Sequence, residues 1–295
     1  MHLKHHIEFW KRLIGDNYPI KHAKLTQDEK TRVQYCFKIN DNFTLSPGAI
    51  PANGLTLFTK AGYAYDWYRM ISRIDSRKCD VLFGDIQFIP ESPSFCKSRP
   101  ISEFNQNNVI IPLNTHRHFS FIQDDIPFRN KRDCAIWRGA AYKSHRKLFL
   151  SQTQSIDKVD AQDTSRDSKQ TIFRKSVHTL SRQDQIRNKF IFAIEGNDVA
   201  SNLKWIMGSN AIPIMPKPKF ETWFCEGRLV PGQHFVEIKR DFTDVEDVLE
   251  YYLSHPKLSA EIASESTEYA KNFFNLERQF AIARHIIDGY FSLVS

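Results

Sequence analysis

Residues 189–215 read KFIFAIEGNDVASNLKWIMGSNAIPIM, and this stretch decides the fold class. Its first six residues, 189–194, form a mostly apolar run of strand length that a Glu-Gly pair ends. The pattern over 199–208 predicts a helix, and 211–215 is a second apolar run. This order of strand, tight loop, helix and strand is typical of a βαβ unit in a parallel sheet. Ligands of such sheets bind at the carboxyl ends of the strands, where a glycine permits close approach and a helix start favours an anion.

The composition of the chain indicates a folded, moderately basic protein. The 295 residues are 41% hydrophobic and 13% aromatic, which is enough for a packed core in one large domain or two ordinary ones. The formal net charge of +7 suits an anionic partner such as a nucleotide-sugar, an acidic glycolipid or a membrane surface. A basic protein with no such partner fits the same composition.

Neither the cysteines nor the N-terminus indicates export. The cysteines are odd in number, widely spaced and without a C-x-x-C pair, which favours a reducing compartment over a zinc site or a full disulfide set: Cys36, Cys79, Cys96, Cys134 and Cys225. Residues 1–15 contain no apolar run long enough for a signal peptide, and no stretch approaches a transmembrane span. We therefore expect a cytoplasmic protein. Its first helix, over 1–15, either packs on its own domain or makes a peripheral contact with the inner face of the membrane.

The N-terminal part alternates predicted strands and helices, which favours an α/β domain. The apolar and polar residues alternate over 31–45, as in a strand, whereas 63–74 has helical periodicity. Short apolar runs predict strands at 81–83 and 109–113. The polar stretch 121–133 is the predicted domain boundary.

The C-terminal part continues this alternation. A strand is predicted at 134–137, followed by Arg138-Gly139 and a basic loop, and the polar stretch 151–185 is expected to be mostly loop or surface. The sequence Thr-Asp-Val-Glu at 243–246 is read as a capping box that opens a helix ending at Pro256. The final helix is predicted to be amphipathic and packed, because apolar residues recur at helical spacing: Leu276, Phe280, Ala283, Ile287, Tyr290 and Phe291.

A set of short motifs in a fixed order resembles the capsule-associated, LpsA-like glycosyltransferases, which are glycosyltransferase family 90. The motifs are Glu195-Gly196 followed by Ser201 and Lys204, the Phe-Glu-Thr-Trp-Phe block at 220–224, and Pro-Gly-Gln-His-Phe at 231–235. That family includes protein O-glucosyltransferases of animals and lipopolysaccharide core or capsule transferases of microbes. The resemblance is clearest over residues 130–270.

The resemblance implies a GT-B-like α/β fold, in which two Rossmann-like domains face a cleft. We expect an acceptor-binding domain over 1–125 and a nucleotide-sugar-binding domain over 126–272, with the C-terminal helix, 273–295, crossing back to the first. It also implies an inverting transfer from a UDP-sugar to a hydroxyl of a surface glycan such as lipopolysaccharide core.

The sequence lacks three motifs that would indicate other nucleotide chemistry. It contains neither G-x-G-x-x-G nor the P-loop motif, which counts against dinucleotide and NTP sites of those kinds. No two aspartates are separated by a single residue, so the D-x-D motif of metal-dependent glycosyltransferases is also missing. A transferase with this sequence is expected to hold the diphosphate with protein cations, and we expect no metal or other cofactor.

Arg138 is the leading candidate for this cation, because it follows a predicted strand and precedes Gly139. Its guanidinium offers bidentate recognition of phosphate oxygens, and in family relatives an aromatic-Arg-Gly motif lies at the nucleotide. A surface salt bridge is the alternative. Lys204 and Ser201 are candidates for a phosphate contact, with a polar helix face as the alternative.

Glu195 is a carboxylate beside the expected diphosphate, so it is expected to accept hydrogen bonds from ribose or sugar hydroxyls. Animal relatives place Arg at this position, which leaves the present chain with one cation fewer. His234 either contacts the donor or caps its own loop. Trp223, Phe224 and Phe220 are expected in the core or a pocket wall.

Asp85 is the candidate catalytic base, since inversion requires a carboxylate that accepts the proton of the attacking hydroxyl. The Val-Leu-Phe-Gly-Asp run at 81–85 resembles the strand-then-Asp position of the base in protein O-glucosyltransferases. Competing carboxylates are Asp66, Asp80, Asp124 and Asp125, and a solvated turn aspartate is the alternative for each. His116 and His118 are expected at the surface.

Two other function classes remain open on the sequence alone. The basic runs RNKRD and KSHRK, at 129–133 and 143–147, are compatible with a nucleic-acid-binding protein, although no recognisable nucleic-acid motif is present. A family member that binds glycans without catalysis is the other.

Overall fold

The computed structural model describes residues 20–55, 57–165 and 179–295. The predicted helix over 1–15 lies outside these residues. The helices are α1 Gln27–Cys36, α2 Leu57–Met70, α3 Thr115–His118, α4 Ser144–Thr153, α5 Arg182–Gln185, α6 Leu203–Met207, α7 Val245–Ser254, α8 Pro256–Lys271 and α9 Leu276–Leu293. The strands are β1 Ile50–Pro51, β2 Lys78–Leu82, β3 Ser94–Cys96, β4 Ser98–Pro100, β5 Asn108–Ile110, β6 Arg132–Gly139, β7 Val159–Asp163, β8 Asn188–Phe192, β9 Ile212–Met215, β10 Phe220–Thr222 and β11 Val236–Glu237.

The chain divides into two compact units, each with its own sheet. The first unit contains the chain up to Arg117 together with Lys219–Gly227 and Asn275–Ser295. The second contains His118–Pro218 and Arg228–Phe274. Parallel strands alternating with helices in both units confirm the predicted α/β class.

The first unit contains a four-stranded sheet in the order β1-β2-β3-β5, in which β2, β3 and β5 are parallel and β1 is antiparallel to β2. Its core holds the rings of Trp67, Phe95 and Tyr290, with centroids 5.4 Å apart for the first pair and 4.2 Å for the second. Tyr290 lies on α9, which packs against α1 and α2. The predicted amphipathic last helix is confirmed, since Phe280, Ala283, Ile287 and Tyr290 are buried.

The second unit contains a five-stranded, fully parallel sheet in the order β11-β9-β8-β6-β7. Its central strands are almost wholly buried, as expected for a parallel sheet covered on both faces. Apolar side chains of the sheet pack with Phe149 of α4, Leu249 of α7 and Ile262 of α8. The βαβ unit predicted at 189–215 is confirmed as β8, α6 and β9, although α6 is shorter than the predicted helix.

Three local predictions are wrong, each because a tertiary contact or a better local motif prevails. The first part of the strand predicted over 31–45 belongs to α1, which a capping box at Thr26 and Glu29 starts one turn earlier, and residues 37–45 are mostly irregular. The expected basic loop after Gly139 contains the start of α4. Strand β7 lies in the stretch expected to be mostly loop or surface; its residues are partly exposed, and pairing with β6 determines its structure. At α7 the predicted helix is present, but its N-cap, Asp244, makes no side-chain capping hydrogen bond.

Candidate active site

The topological switch point of the second unit lies between β6 and β8. These strands are neighbours in the sheet, but the chain continues from β6 outward to β7 and from β8 outward to β9 on the opposite side. Connections that leave in opposite directions open a crevice at the carboxyl ends of the two strands, where ligands of open α/β sheets bind. The backbone at this crevice comprises Gly139-Ala140 at the end of β6 and Ile194 to Gly196 after β8.

Arg146 of α4 joins these two strand ends through its guanidinium. It donates to the carbonyl oxygen of Ala140 at 3.0 Å, to that of Ile194 at 2.7 Å and to that of Glu195 at 2.9 Å. The Nε2 atom of His145 lies 2.8 Å from the carbonyl oxygen of Glu195. The planar fork of an arginine can satisfy three separate carbonyls and still bring a positive charge to the switch point.

The start of α4 also faces this region. Its N-cap is Lys143, whose side chain makes no capping hydrogen bond, and α4 follows β6 after a short loop. The loop is held in place at Ala141, whose N–H donates to Asp163 Oδ1 at 2.9 Å and to Ser165 Oγ at 3.0 Å. Partial burial opposes ionisation of Asp163, but hydrogen bonds from Ser165 and Ala141 prevail and hold its pKa below the usual value. The start of α4 therefore combines a helix N-terminus with basic side chains, as in anion sites.

Of the two candidate glycines, Gly139 lies where a side chain would be crowded. A Cβ on Gly139 would come 2.4 Å from the Trp137 ring, whereas one on Gly196 would make an ordinary contact, 3.4 Å from Arg146 Nη2. Glu195 directly precedes Gly196, and its Oε2 is 3.7 Å from Nη1 of Arg240. The structure therefore brings Gly139, Glu195 and Gly196 together, as the sequence predicted, around an arginine that the sequence did not single out.

Arg138 is part of β6 instead of the loop after it. Its Nη2 lies 2.6 Å from Asp160 Oδ2, and its Nη1 donates to the carbonyl oxygens of Trp137 and Asp160 at 2.9 and 2.8 Å. The Asp160 side chain is 44% exposed, whereas that of Arg138 is 9% exposed. The salt bridge considered as the alternative role is thus present, on the β7 side of the strand.

The remaining nucleotide-site candidates lie outside the carboxyl ends of β6 and β8, before or within α6 and in the loop before β11. Ser201 is in the turn before α6 and is partly exposed. Lys204 is completely buried, as are the other four residues of α6. The alternative prediction, that Lys204 lies on a polar face of its helix, is therefore wrong. His234 Nδ1 accepts the N–H of Val230 at 2.9 Å, so this side chain caps its own loop. Burial lowers the pKa of His234, and Glu265 opposes the shift.

In the first unit, Asp85 lies at the carboxyl edge of the sheet, after β2. Its Oδ1 is 2.6 Å from Nζ of Lys97, the residue that follows the neighbouring strand β3. The side chain of Asp85 is 26% exposed, while that of Lys97 is 1% exposed. Asp85 is therefore a partly open carboxylate held by a buried ammonium group.

The competing aspartates have other roles. For three of them, the alternative prediction of a solvated turn aspartate is wrong. Asp66 is buried on α2 and accepts the N–H and the hydroxyl of Thr115, both at 2.7 Å. Burial raises the pKa of Asp66 to about 7, against the effect of these hydrogen bonds. Asp80 accepts two hydrogen bonds from Ser46, and Asp124 holds Lys131 Nζ at 2.6 Å. Only Asp125 lies at the surface, next to Gln123.

Several aromatic and histidine predictions are also decided. Trp223 and Phe224 are fully buried, which confirms the expected core, and the Trp223 indole donates to Gln279 Oε1 at 3.0 Å. His116 is exposed as expected, but the surface position predicted for His118 is wrong, because it is 2% exposed. Across residues 20–55, 57–165 and 179–295, no three His, Cys, Asp or Glu side chains are grouped to hold a metal ion.

Sequence reasoning missed Arg146, His145 and Lys97. The first two belong to the run KSHRK, whose position just after a predicted strand was the available signal. Lys97 had no signal in the local sequence, because its contact with Asp85 depends on the pairing of β2 with β3.

Several known proteins are similar to this chain over long stretches. Residues 107–295 match the model of glycosyl transferase family 90. The chain is 34% identical over 273 residues to the O-glucosyltransferase LpsA of Dichelobacter nodosus, covering 92% of this chain and 85% of that protein. It is 20% identical over 174 residues to protein O-glucosyltransferase 1 of Rattus norvegicus, covering 57% of this chain and 44% of the rat protein. For the human protein O-glucosyltransferase 1 the identity is 19% with the same coverage.

Within the part of the chain that the structure describes, no helix has the length and apolar character needed to cross a bilayer. Both the matched region and the relative that spans most of the chain identify one enzyme class. The chain belongs to glycosyltransferase family 90 and is a glycosyltransferase.

Proposed function

We propose that this glycosyltransferase transfers a sugar from a UDP-sugar to a hydroxyl of a surface glycan, such as lipopolysaccharide core, with inversion and without a metal. The observation that carries the proposal is the crevice between β6 and β8, where Arg146 joins both strand ends beside the start of α4. A switch point that combines a helix N-terminus with a guanidinium is suited to a diphosphate.

Residues of the proposed donor site contact either the diphosphate or the hydroxyl groups of the donor. Backbone groups at Gly139 and Gly196 approach the diphosphate closely, because neither residue has a side chain in the way. Arg138 contributes a bidentate contact to phosphate oxygens, for which its guanidinium exchanges Asp160 for the ligand. Glu195 accepts hydrogen bonds from ribose or sugar hydroxyls.

Three flanking residues complete the proposed donor site. Ser201 donates a hydrogen bond from the turn before α6. Lys204 contributes positive charge from within that helix. His234 positions the loop before β11, since its ring accepts the N–H of Val230.

Asp85 is the proposed catalytic base. Its carboxylate accepts the proton of the acceptor hydroxyl while that oxygen bonds to the anomeric carbon. The bond from the anomeric carbon to the diphosphate oxygen breaks, and UDP leaves with the electron pair. Attack opposite the leaving group inverts the anomeric centre, and no metal takes part because cations of the chain balance the diphosphate charge.

The relatives suggest which substrates to test first. Two of the matched proteins are named O-glucosyltransferases, so glucose is the first donor sugar to examine. We place the reaction in the cytoplasm at the inner face of the membrane, where a surface glycan is assembled. A GT-B arrangement of two Rossmann-like domains is part of this proposal.

The nucleic-acid alternative is weakened by the burial of one of its basic residues. Lys131, in the run at 129–133, is 5% exposed and its Nζ is bound to Asp124, so it cannot contact a phosphate backbone. The non-catalytic alternative predicts UDP binding without sugar transfer.

The first test is a thermal-shift panel of UDP, UDP-glucose, GDP and CDP with and without EDTA. We expect UDP and UDP-glucose to raise the melting temperature, since a ligand present at 100 times its Kd stabilises the native state by about 2.7 kcal/mol. EDTA should change neither the shift nor UDP release from UDP-glucose with deacylated lipopolysaccharide core as acceptor.

Each contrary outcome overturns a different part of the proposal. Loss of turnover with EDTA and its recovery with manganese would exclude the metal-free mechanism. A shift by UDP without transfer to any core acceptor would favour the glycan-binding alternative. Salt-dependent binding of an oligonucleotide with which UDP does not compete would favour the nucleic-acid alternative.

A further inference from the structure

The contact between Asp85 and Lys97 is unequal in its exposure to solvent. The two charged atoms are 2.6 Å apart, but the lysine side chain is 1% exposed and the aspartate side chain is 26% exposed. Removing an ammonium group from water is costly unless a partner compensates it. Here the compensating carboxylate is left open at the edge of the sheet.

Strand pairing creates this contact at the edge where ligands bind. Asp85 follows β2 and Lys97 follows β3, and these parallel neighbours end at the same edge. Gly84, directly before Asp85, has a φ of +126°, a conformation that side chains rarely adopt. The N–H of Ile86 donates to Ser98 Oγ at 3.2 Å. Two consecutive residues of this loop, Asp85 and Ile86, therefore contact the consecutive residues Lys97 and Ser98.

A second buried lysine in the chain shows what a purely structural pair looks like. Lys131 and Asp124, in the second unit, are also 2.6 Å apart, but their side chains are 0% and 1% exposed. Asp124 additionally accepts the N–H of Asn210 and that of Ile126, so it closes a polar network within the protein. The exposure of the aspartate side chain, 26% for Asp85 and 1% for Asp124, distinguishes the first pair from the second.

We propose that Lys97 is a positioning residue for the catalytic base. Its buried ammonium group fixes the Asp85 carboxylate in one orientation at the sheet edge, from which the carboxylate accepts the proton of the acceptor hydroxyl. Lys97 does not contact the sugar. This inference rests on the proposed function, because it requires Asp85 to act as the base.

The test is a double-mutant cycle on Asp85 and Lys97, measured as UDP release from UDP-glucose with deacylated lipopolysaccharide core as acceptor. Lys97→Met should lower kcat on the order of 10²-fold, as misplacement of a reacting group does. The UDP thermal shift should be unchanged, since the residue acts on the base and leaves the donor site intact. In the Asp85→Asn background the same change should have no further effect, because no carboxylate remains to be positioned.

Lys131→Met is the matched control. It also removes a buried ammonium from an aspartate, so it should lower the melting temperature while turnover per folded molecule stays at the wild-type level. If Lys97→Met does not fold, Lys97→Gln replaces it, since glutamine keeps a hydrogen-bond donor without the charge. The same loss of kcat and the same absence of effect in the Asp85→Asn background are expected.

The outcomes separate this inference from the proposed function. Full turnover in Asp85→Asn would remove the base and the inference together. Loss of turnover in Asp85→Asn with wild-type kcat in the Lys97 variant would leave the base in place and overturn the role of Lys97. An equal loss of kcat from the Lys97 change in both backgrounds would show that the lysine acts independently of Asp85, and would also overturn it.

Discussion

At the scale of single residues, two arginines near the switch point have different partners. Arg146 donates to three backbone carbonyls, which ties the ends of β6 and β8 together. Arg138 is paired with the half-exposed carboxylate of Asp160. A guanidinium held by an exposed carboxylate can exchange this partner for a phosphate, because both present planar pairs of oxygens.

The residue-scale prediction concerns Arg138. We expect Arg138→Lys to weaken UDP binding although the charge is kept, because an ammonium cannot reproduce a bidentate fork. The loss of a charge-assisted hydrogen bond costs about 1.5–3 kcal/mol, which corresponds to roughly 10- to 150-fold in Kd. Isothermal titration of UDP into the wild type and the variant measures this effect.

Asp160→Asn is the control for this measurement. It removes the competing charge and leaves Arg138 in place, so UDP affinity should be retained or increased. An unchanged Kd in Arg138→Lys, with weaker binding in Asp160→Asn, would instead assign the pair a structural role in joining β6 to β7.

At the scale of elements, α1 and α7 begin in physically different ways despite similar local sequences. At α1 the hydroxyl of Thr26 accepts the N–H of Glu29 at 3.3 Å, and Glu29 Oε2 accepts the N–H of Thr26 at 2.8 Å. At α7, Thr243 instead donates from both its N–H and its hydroxyl to Asp241 Oδ1, and Asp244 accepts the N–H of Lys239. Only the first is a capping box, so only it contributes the free energy of one.

The element-scale prediction compares the two threonines. Thr26→Ala should lower the free energy of unfolding by about 1 kcal/mol, because the helix start loses an acceptor for one of its N–H groups. Thr243→Ala should change it by less than about 0.5 kcal/mol, as surface substitutions usually do. Urea denaturation of both variants gives the two values, and a larger loss in Thr243→Ala would contradict the assignment of the caps.

At the scale of the whole molecule, the first unit is assembled from distant segments of the chain. Strand β10 lies in the segment Lys219–Gly227, which belongs to the first unit although the residues on either side of it in the chain belong to the second. It pairs with β4. The pairing is reinforced by Arg99 and Glu221, whose charged atoms are 2.7 Å apart and whose side chains are 0% and 1% exposed. Tyr35 donates its hydroxyl to the same glutamate, and burial raises the pKa of this tyrosine.

The prediction at this scale is that Glu221→Gln destabilises the protein strongly. Breaking a buried ion pair from one side leaves an uncompensated charge and costs about 3–5 kcal/mol. Glu268→Gln is the matched control, since Glu268 pairs with Lys271 at the surface and such pairs contribute at most about 1 kcal/mol. The measurement is the urea midpoint of each variant, and similar midpoints would mean that the Arg99 charge is compensated by the carbonyls around it.

The sequence by itself determined the α/β class, the family and the central βαβ unit. The apolar runs of β8 and β9 are long, bounded by turn residues and buried on both faces, so their pattern depends little on what packs against them. The same holds for α9, whose apolar face follows from residues within one helix. Glu195 and Gly196 were found because they follow such a strand directly.

Only the tertiary structure decided which charged side chains pair with each other. It also decided which segments with little apolar character form strands. Strand β7 carries few apolar residues and forms because its backbone pairs with β6. Arg146 meets Glu195 across 49 residues of chain, and Lys97 meets Asp85 only because β2 and β3 pair in parallel. Local sequence encodes backbone propensity and burial pattern, whereas a side chain's ionic partner depends on which strand ends the sheet brings together, and that is fixed by the packing of the whole unit.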